Sequence, residues 1–144
     1  MATEIENKKV ETQEVPASAT PVILNGQITE TALGYDKNGV LTSYFSIKGD
    51  GWDGGFGLFP LEGAKGLAAI EELLKTLDVG RWENLKGQFI RVVVFNNKLV
   101  KIGNLIQDKW FSFEEFFKLW EMKQNDENKE ETISEEKSTN EKTE

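Results

Sequence analysis

The stretch FIRVVVFNNKLVKIGNLI, residues 89–106, decides the class of fold. Residues 89–95 are almost all β-branched or aromatic, which is typical of a strand. Asn96 and Asn97 follow. Because asparagine tolerates a positive φ angle, this pair predicts a tight turn into a second strand over residues 98–106. Both parities of the first strand are largely apolar, so we expect both of its faces to be covered.

The chain before this hairpin predicts three further strands. They cover residues 21–35, 40–48 and 56–61. The tetrapeptide DKNG, residues 36–39, separates the first two, and its Asn and Gly favour a turn. The first two strands therefore form a hairpin.

A helix is predicted over residues 64–77, between the third strand and the hairpin of residues 89–106. Its leucines and isoleucine recur at spacings of three and four, which indicates an amphipathic helix. These positions are Leu67, Ile70, Leu74 and Leu77. Gly80 is the residue that we expect to mark the end of the helix.

A second helix is predicted to begin at SFEE, residues 112–115. Ser112 can cap it, and Glu115 completes a capping box. The aromatic residues that follow form one stripe at helical spacing. They are Phe113, Phe116, Phe117 and Trp120. This stripe either closes the core or forms a subunit or partner interface, and its apolar area leads us to expect a homo-oligomer, a dimer first of all.

The order β-β-β-α-β-β predicts an α+β fold, either a small antiparallel β-sheet or an OB-like barrel, with a C-terminal amphipathic helix. One globular domain is expected at residues 21–121. Residues 1–20 and 122–144 are too polar to bury a core and are predicted to be disordered tails. The first tail has 2 Lys and 4 Glu, a net charge of −2, and the second, acidic tail has 4 Lys and 8 acids, a net charge of −4.

The composition excludes much chemistry. The 144 residues include no Cys and no His, which excludes thiol nucleophiles, disulfides, Cys/His zinc sites and imidazole bases. The paired carboxylates lie on helix exteriors, where they are solvated. We therefore predict a protein that is not an enzyme, with no metal and no cofactor. No apolar run reaches the roughly 18 residues of a membrane span, so we also predict a cytoplasmic protein without membrane contact.

The glycine-rich segment GDGWDGGFG, residues 49–57, is the first candidate site. Glycines let backbone N–H groups approach an anion, and aromatic rings can stack on a base. The candidate residues of this loop are Gly51, Trp52, Gly54, Gly55 and Phe56. The alternative is a bulged, sharply bent hairpin that needs glycine for its geometry.

Six scattered polar or amphipathic residues are further candidates to line a pocket: Tyr35, Arg81, Trp82, Arg91, Asn104 and Lys109. Tyr35 is amphipathic, and Arg81 and Arg91 are the two arginines of the chain. A guanidinium can contact a phosphate through two parallel hydrogen bonds, so Arg81 and Arg91 are the best candidates for that contact. Each is equally compatible with an ordinary surface position.

Several blocks resemble small, uncharacterised tailed-phage and prophage proteins. The blocks are LGY (33–35), GVLT (39–42), GGFG (54–57), WENLKGQFIRV (82–92) and IGNLIQDKWF (102–111). The resemblance spans residues 30–112 and implies a viral setting. The strand order and the block LKGQFIRV are also similar to phage single-stranded DNA-binding proteins of the OB type, although the acidic tail lacks a terminal aromatic residue.

Two functions are therefore expected. The first is a phage accessory protein that binds a host protein or a small nucleotide-like ligand and counteracts host defence. The second is an OB-like protein that binds single-stranded DNA. The folded body has 11 basic and 13 acidic residues, so it has no general attraction for polyanions, and this favours the first.

Overall fold

Six antiparallel strands form one sheet in the computed structural model of the chain, which describes residues 20–141 and the side chains of residues 20–131. Their order across the sheet is β3-β2-β1-β4-β5-β6. The strands are β1 (Val22–Tyr35), β2 (Leu41–Gly49), β3 (Trp52–Pro60), β4 (Phe89–Phe95), β5 (Lys98–Gly103) and β6 (Trp110–Phe111). Two helices complete the fold: α1 (Gly63–Leu77) and α2 (Phe113–Glu141).

Strand β1 is shared by the two halves of the sheet. Its first part, Val22 to Gln27, pairs with β4, and its second part, Gln27 to Tyr35, pairs with β2. The register shifts near Thr29, whose hydroxyl donates to the Ser46 carbonyl at 3.2 Å. Strands β3 and β5 also approach each other, with α1 between β3 and β4 in the chain. The predicted α+β fold with a small antiparallel sheet is confirmed.

The hairpin of residues 89–106 forms as predicted over most of its length. β4 covers residues 89–95, and Asn96 and Asn97 have φ angles of 49° and 63°, the left-handed turn that their types favour. β5 ends at Gly103, earlier than predicted, and is followed by the short β6. β3 begins at Trp52, inside the glycine-rich segment, four residues before the predicted start at residue 56.

Helix α1 buries only part of the predicted face: Leu77 is buried, and Ile70 and Leu74 are partly buried. Leu67 is 74% exposed, whereas Ala69 and Leu73 are fully buried. Gly66 also lies on the buried face, where a Cβ would come within 2.6 Å of the Leu61 backbone. The helix ends at Asp78, in the left-handed conformation (φ 56°), rather than at Gly80.

Aromatic rings fill much of the core. Phe45 packs at centroid distances of 6.3 Å from Phe56 and 5.2 Å from Trp82. Phe113 lies 5.5 Å from Phe56 and 4.8 Å from Phe111. Only 1% of Phe113 is exposed. The expectation that Phe113 belongs to a partner interface is therefore wrong, since its ring closes the core of its own chain.

The chain divides into two compact units, one ending at Phe113 and the other beginning at Glu114. The predicted domain, residues 21–121, extends past this boundary. α2 continues to Glu141, so most of the C-terminal segment predicted as a tail from residue 122 is helical. The N-terminal tail, residues 1–20, lies outside the described residues except for Thr20.

One buried hydroxyl yields a stability prediction. Ser43 is fully buried, and its Oγ has no hydrogen-bond partner among the described residues. Ser43→Ala removes an unpaired polar group from the core, so we expect the free energy of unfolding to stay within about 1 kcal/mol or to rise. Ser112→Ala is the matched comparison, because Ser112 directly precedes α2 at the position where a serine caps a helix, and we expect this variant to lose about 0.5–2 kcal/mol of unfolding free energy. Chemical denaturation measures both, and a larger loss in Ser43→Ala would contradict the assignment of an unpaired hydroxyl.

Candidate functional site

The glycine-rich segment is built around buried rings. Trp52 is 5% exposed and Phe56 is 4% exposed. A Cβ at Gly49 would overlap the Trp52 indole, and one at Gly26 would lie 3.1 Å from it. The two glycines therefore make room for the indole in the core. Neither Trp52 nor Phe56 is available to stack on a ligand, and their predicted roles in a binding loop are wrong for this reason.

Three of the remaining four glycines of the segment, Gly51, Gly55 and Gly57, also have structural reasons. Gly51 has a φ of 73° in the turn between β2 and β3. A Cβ at Gly55 would overlap the Tyr44 ring. Gly57, at φ 120°, has no room for a side chain beside the Ser43 carbonyl. Gly54 pairs with Ile47 in the same hairpin. The segment matches the alternative of a bent hairpin whose geometry requires glycine.

The structure does not bring Tyr35 and Arg91 together. Tyr35 is 78% exposed at the end of β1. Arg91 pairs with Asn25, ten residues earlier on that strand, which is about 33 Å along an extended chain. Arg81 is exposed before a short 3-10 helix, Trp82–Asn84, and no described contact joins its side chain to Tyr35 or Arg91. The predicted common pocket is therefore not formed by these three residues.

A different surface combines aromatic and basic side chains. Ile90, Val92 and Val94 of β4 point into the core and are at most 1% exposed. The alternate residues of β4 point outward, together with their partners on β1, β5 and β6. We call this surface the β4 face. Its positions are Ile23, Asn25, Gln27, Phe89, Arg91, Val93, Phe95, Lys98, Lys101, Gly103 and Trp110.

The β4 face is exposed and locally basic. Phe89 is 63% exposed, Ile23 58% and Phe95 37%, so the expectation that both faces of β4 are covered is wrong. The eleven positions include three cations and no carboxylate, although the whole chain has a net charge of −8. These positions are therefore locally basic, and the carboxylate of Asp108, which accepts from the Trp110 indole, lies at their border.

Arg91 is held firmly at the centre of this face. Its Nε donates to the Asn104 carbonyl at 2.7 Å, and its Nη2 donates to the Gln107 carbonyl at 2.8 Å. The guanidinium carbon lies 4.6 Å from the centroid of the Trp110 ring, a cation–π distance. These three contacts leave the guanidinium little freedom to move.

The residues that contact Arg91 are themselves fixed by further hydrogen bonds. The Asn104 carboxamide oxygen accepts from the backbone N–H groups of Ile106 and Gln107, and its Nδ2 donates to the Thr76 carbonyl of α1. The indole of Trp110 lies against Gly103, where a Cβ would overlap it, and donates to Asp108 at 2.9 Å. The β5–β6 loop and Arg91 therefore form one hydrogen-bonded unit.

The aromatic stripe of α2 has a mixed outcome. Beyond the buried Phe113, the rings of Phe116 and Phe117 contact each other at 6.0 Å, and Phe116 lies 6.3 Å from Trp120. These three rings are half-buried, while Leu119 is 59% exposed. The homo-oligomer stays a prediction.

Other features of the described residues give no site. Residues 20–131 contain no group of three or more Asp or Glu side chains that could hold a metal ion. The pKa of Lys75 is raised by its hydrogen bond to Glu71 and by the charge of that carboxylate, and this pair is exposed on α1. No helix in the described part of the chain is long and apolar enough to cross a membrane.

Comparison with known protein families, curated proteins and solved structures gave no match. The resemblance to phage proteins and the accessory function that it implies therefore stay predictions, as does the absence of enzymatic activity.

Sequence analysis missed Phe89, Phe95 and Asn25 as surface residues of a common face. Phe89 and Phe95 lie on the same side of β4 as Arg91, and Asn25 pairs with Arg91 from β1. This arrangement can be recognised only when it is known which alternate residues of β4 point into the core. Buried Ile90 and exposed Phe89 are equally apolar as residue types, so the pattern did not distinguish the two faces.

Proposed function

We propose that this chain is a non-enzymatic binding protein that takes single-stranded nucleic acid on its β4 face, in the cytoplasm of a bacterial host. The observation that carries the proposal is the union of exposed aromatic rings and cations, without a carboxylate, on the outward side of four neighbouring strands. Proteins that bind single strands combine these two elements, rings for the bases and cations for the backbone.

The cations supply attraction for phosphate in spite of the acidic composition. Arg91, Lys98 and Lys101 lie on β4 and on its neighbour β5. Half of the net charge of −8 belongs to residues 122–144, which follow the strands in the sequence. Because charges act over about 10 Å at ordinary salt, the local balance on the face matters more than the total.

The rings favour single strands over duplexes. Phe89 and Phe95 stand at the two ends of β4, six residues and about 20 Å apart. A base stacks on such a ring only when it is unpaired and free to leave its neighbours. A length of 20 Å spans at most about six nucleotides, the number reached at the 3.4 Å spacing of a stacked strand.

The test is binding of a fluorescently labelled 15-mer of thymidine, followed by anisotropy at 50 and 200 mM salt. Neutralising about three phosphates of a single strand gives a slope of log K against log salt near −2. We therefore expect saturable binding that weakens roughly 20-fold between the two salt concentrations. A duplex of the same length is the control, and it should bind at least tenfold more weakly.

Two outcomes would overturn the proposal: no saturable binding at 50 mM salt, or equal binding of duplex and single strand. The hypothesis of an accessory protein that binds a host protein would then be the remaining one.

A further inference from the structure

Arg91 uses only one of the two hydrogen-bonding edges of its guanidinium for contacts with described residues. The Nε and one Nη2 hydrogen form the edge that binds the Asn104 and Gln107 carbonyls. The tip edge, formed by Nη1 and the second Nη2 hydrogen, has no hydrogen-bond partner within residues 20–131. Two parallel N–H groups of this kind match the two free oxygens of a phosphate.

The neighbours of Arg91 are suited to an anion. Asn25 lies directly opposite on β1 and is exposed, so its carboxamide N–H groups are within reach of the same ligand. Lys101 pairs with Val93, one row along the sheet, which places its cation diagonal to Arg91. No carboxylate occupies these paired positions.

We propose that Arg91 and Asn25 form a phosphate subsite that binds one internal phosphodiester of a single strand, with Lys101 adding positive charge. The inference rests on the proposed function and names the position at which the backbone is held. The β5–β6 loop and Trp110 act as the support that orients the guanidinium before the ligand arrives. A guanidinium fixed in this way loses little side-chain entropy on binding, which favours affinity.

The support explains why so many hydrogen bonds converge on one surface residue. Asn104 connects the loop to the end of α1, and Asp108 fixes the indole under the guanidinium. A lysine at position 91 would keep the charge but could not donate to both carbonyls in one plane.

Asn25→Asp tests the subsite without removing any contact of the fold. It places a carboxylate opposite Arg91, where it pairs with the tip edge and repels phosphate. We expect the affinity for the unphosphorylated 15-mer to fall about tenfold or more at 50 mM salt, and the salt slope to become shallower by about 0.7. The affinity of Asn25→Ala for the 15-mer should fall less, because this change removes a donor without adding a charge.

Asn38→Asp is the matched control, because it makes the same charge change at an exposed residue in the β1–β2 turn. It should change affinity less than twofold. Equal losses in Asn25→Asp and Asn38→Asp would overturn the subsite while leaving single-strand binding intact. A wild-type protein that binds no 15-mer at all would instead contradict the proposed function itself. Binding that requires a 5′-phosphate on the oligomer would overturn the assignment to an internal phosphodiester.

Discussion

Trp52→Ala is expected to lower the free energy of unfolding by about 3–5 kcal/mol. The indole is 5% exposed and lies against Gly26 and Gly49, two positions that have no room for a Cβ beside it. Removing the ring leaves a cavity in the core beside Gly26 and Gly49, and the surrounding backbone, held by its sheet hydrogen bonds, cannot close it fully.

Urea denaturation measures this loss from the shift in midpoint at an unchanged slope. Leu67→Ala is the control, because Leu67 is a large apolar residue that is 74% exposed, and its loss should stay within about 0.5 kcal/mol. If Trp52→Ala cost less than 1 kcal/mol, the indole would have to be at the surface, and the glycine-rich segment would again be a candidate for stacking on a ligand.

The sequence predicts the structure best where the residue types of an element and of the turn or cap beside it favour the same conformation. β4 was predicted at its observed limits because its residue types favour a strand and the Asn96-Asn97 pair favours a left-handed turn. The start of α2 was likewise predicted, since Ser112 precedes it directly. In both cases the signal lies within a few residues of the feature.

The glycine-rich segment shows why the candidate site was harder to predict. Five glycines in nine residues are compatible with an anion-binding loop and with a bent strand. The choice depends on which rings lie beside the glycines, and those rings come from another strand, as Tyr44 does at Gly55, or from further along the segment, as Trp52 does at Gly49. Such contacts follow from the register of β2 and β3, which the sequence pattern alone does not specify.

Helix α1 and the β4 face share a different difficulty. The buried side of α1 combines Leu73 and Leu77 with Gly66 and Ala69, small residues that allow close packing, whereas Leu67 is exposed. On β4 both parities are apolar, so hydrophobicity could not tell Phe89 from Ile90. The apolar residue types that made β4 easy to predict therefore gave no indication of which side of the strand is exposed.

Replacing both Phe89 and Phe95 by Ala is expected to weaken binding of the thymidine 15-mer more than any other change on the β4 face. Each stacked base contributes about 1–3 kcal/mol, so the double variant should lose about 2–6 kcal/mol if each ring takes one base. Phe89 is largely exposed and Phe95 is partly exposed, so we expect folding stability to change much less than binding. Anisotropy titration at 50 mM salt measures the loss, and urea denaturation verifies the fold.

The salt dependence separates the roles of rings and cations on this face. The double Phe variant removes no charge, so its salt slope should equal that of the wild type, near −2, although its affinity is far lower. Asn25→Asp adds a negative charge, so its salt slope should differ from that of the wild type and be shallower by about 0.7. Ile23→Ala is the control for simple loss of apolar surface, because Ile23 is 58% exposed on the same face but cannot stack. If Ile23→Ala weakened binding as much as the loss of the two rings, or if the Phe variant changed the slope, the rings would not be stacking on bases, and the β4 face would instead be a general apolar contact surface for a protein partner.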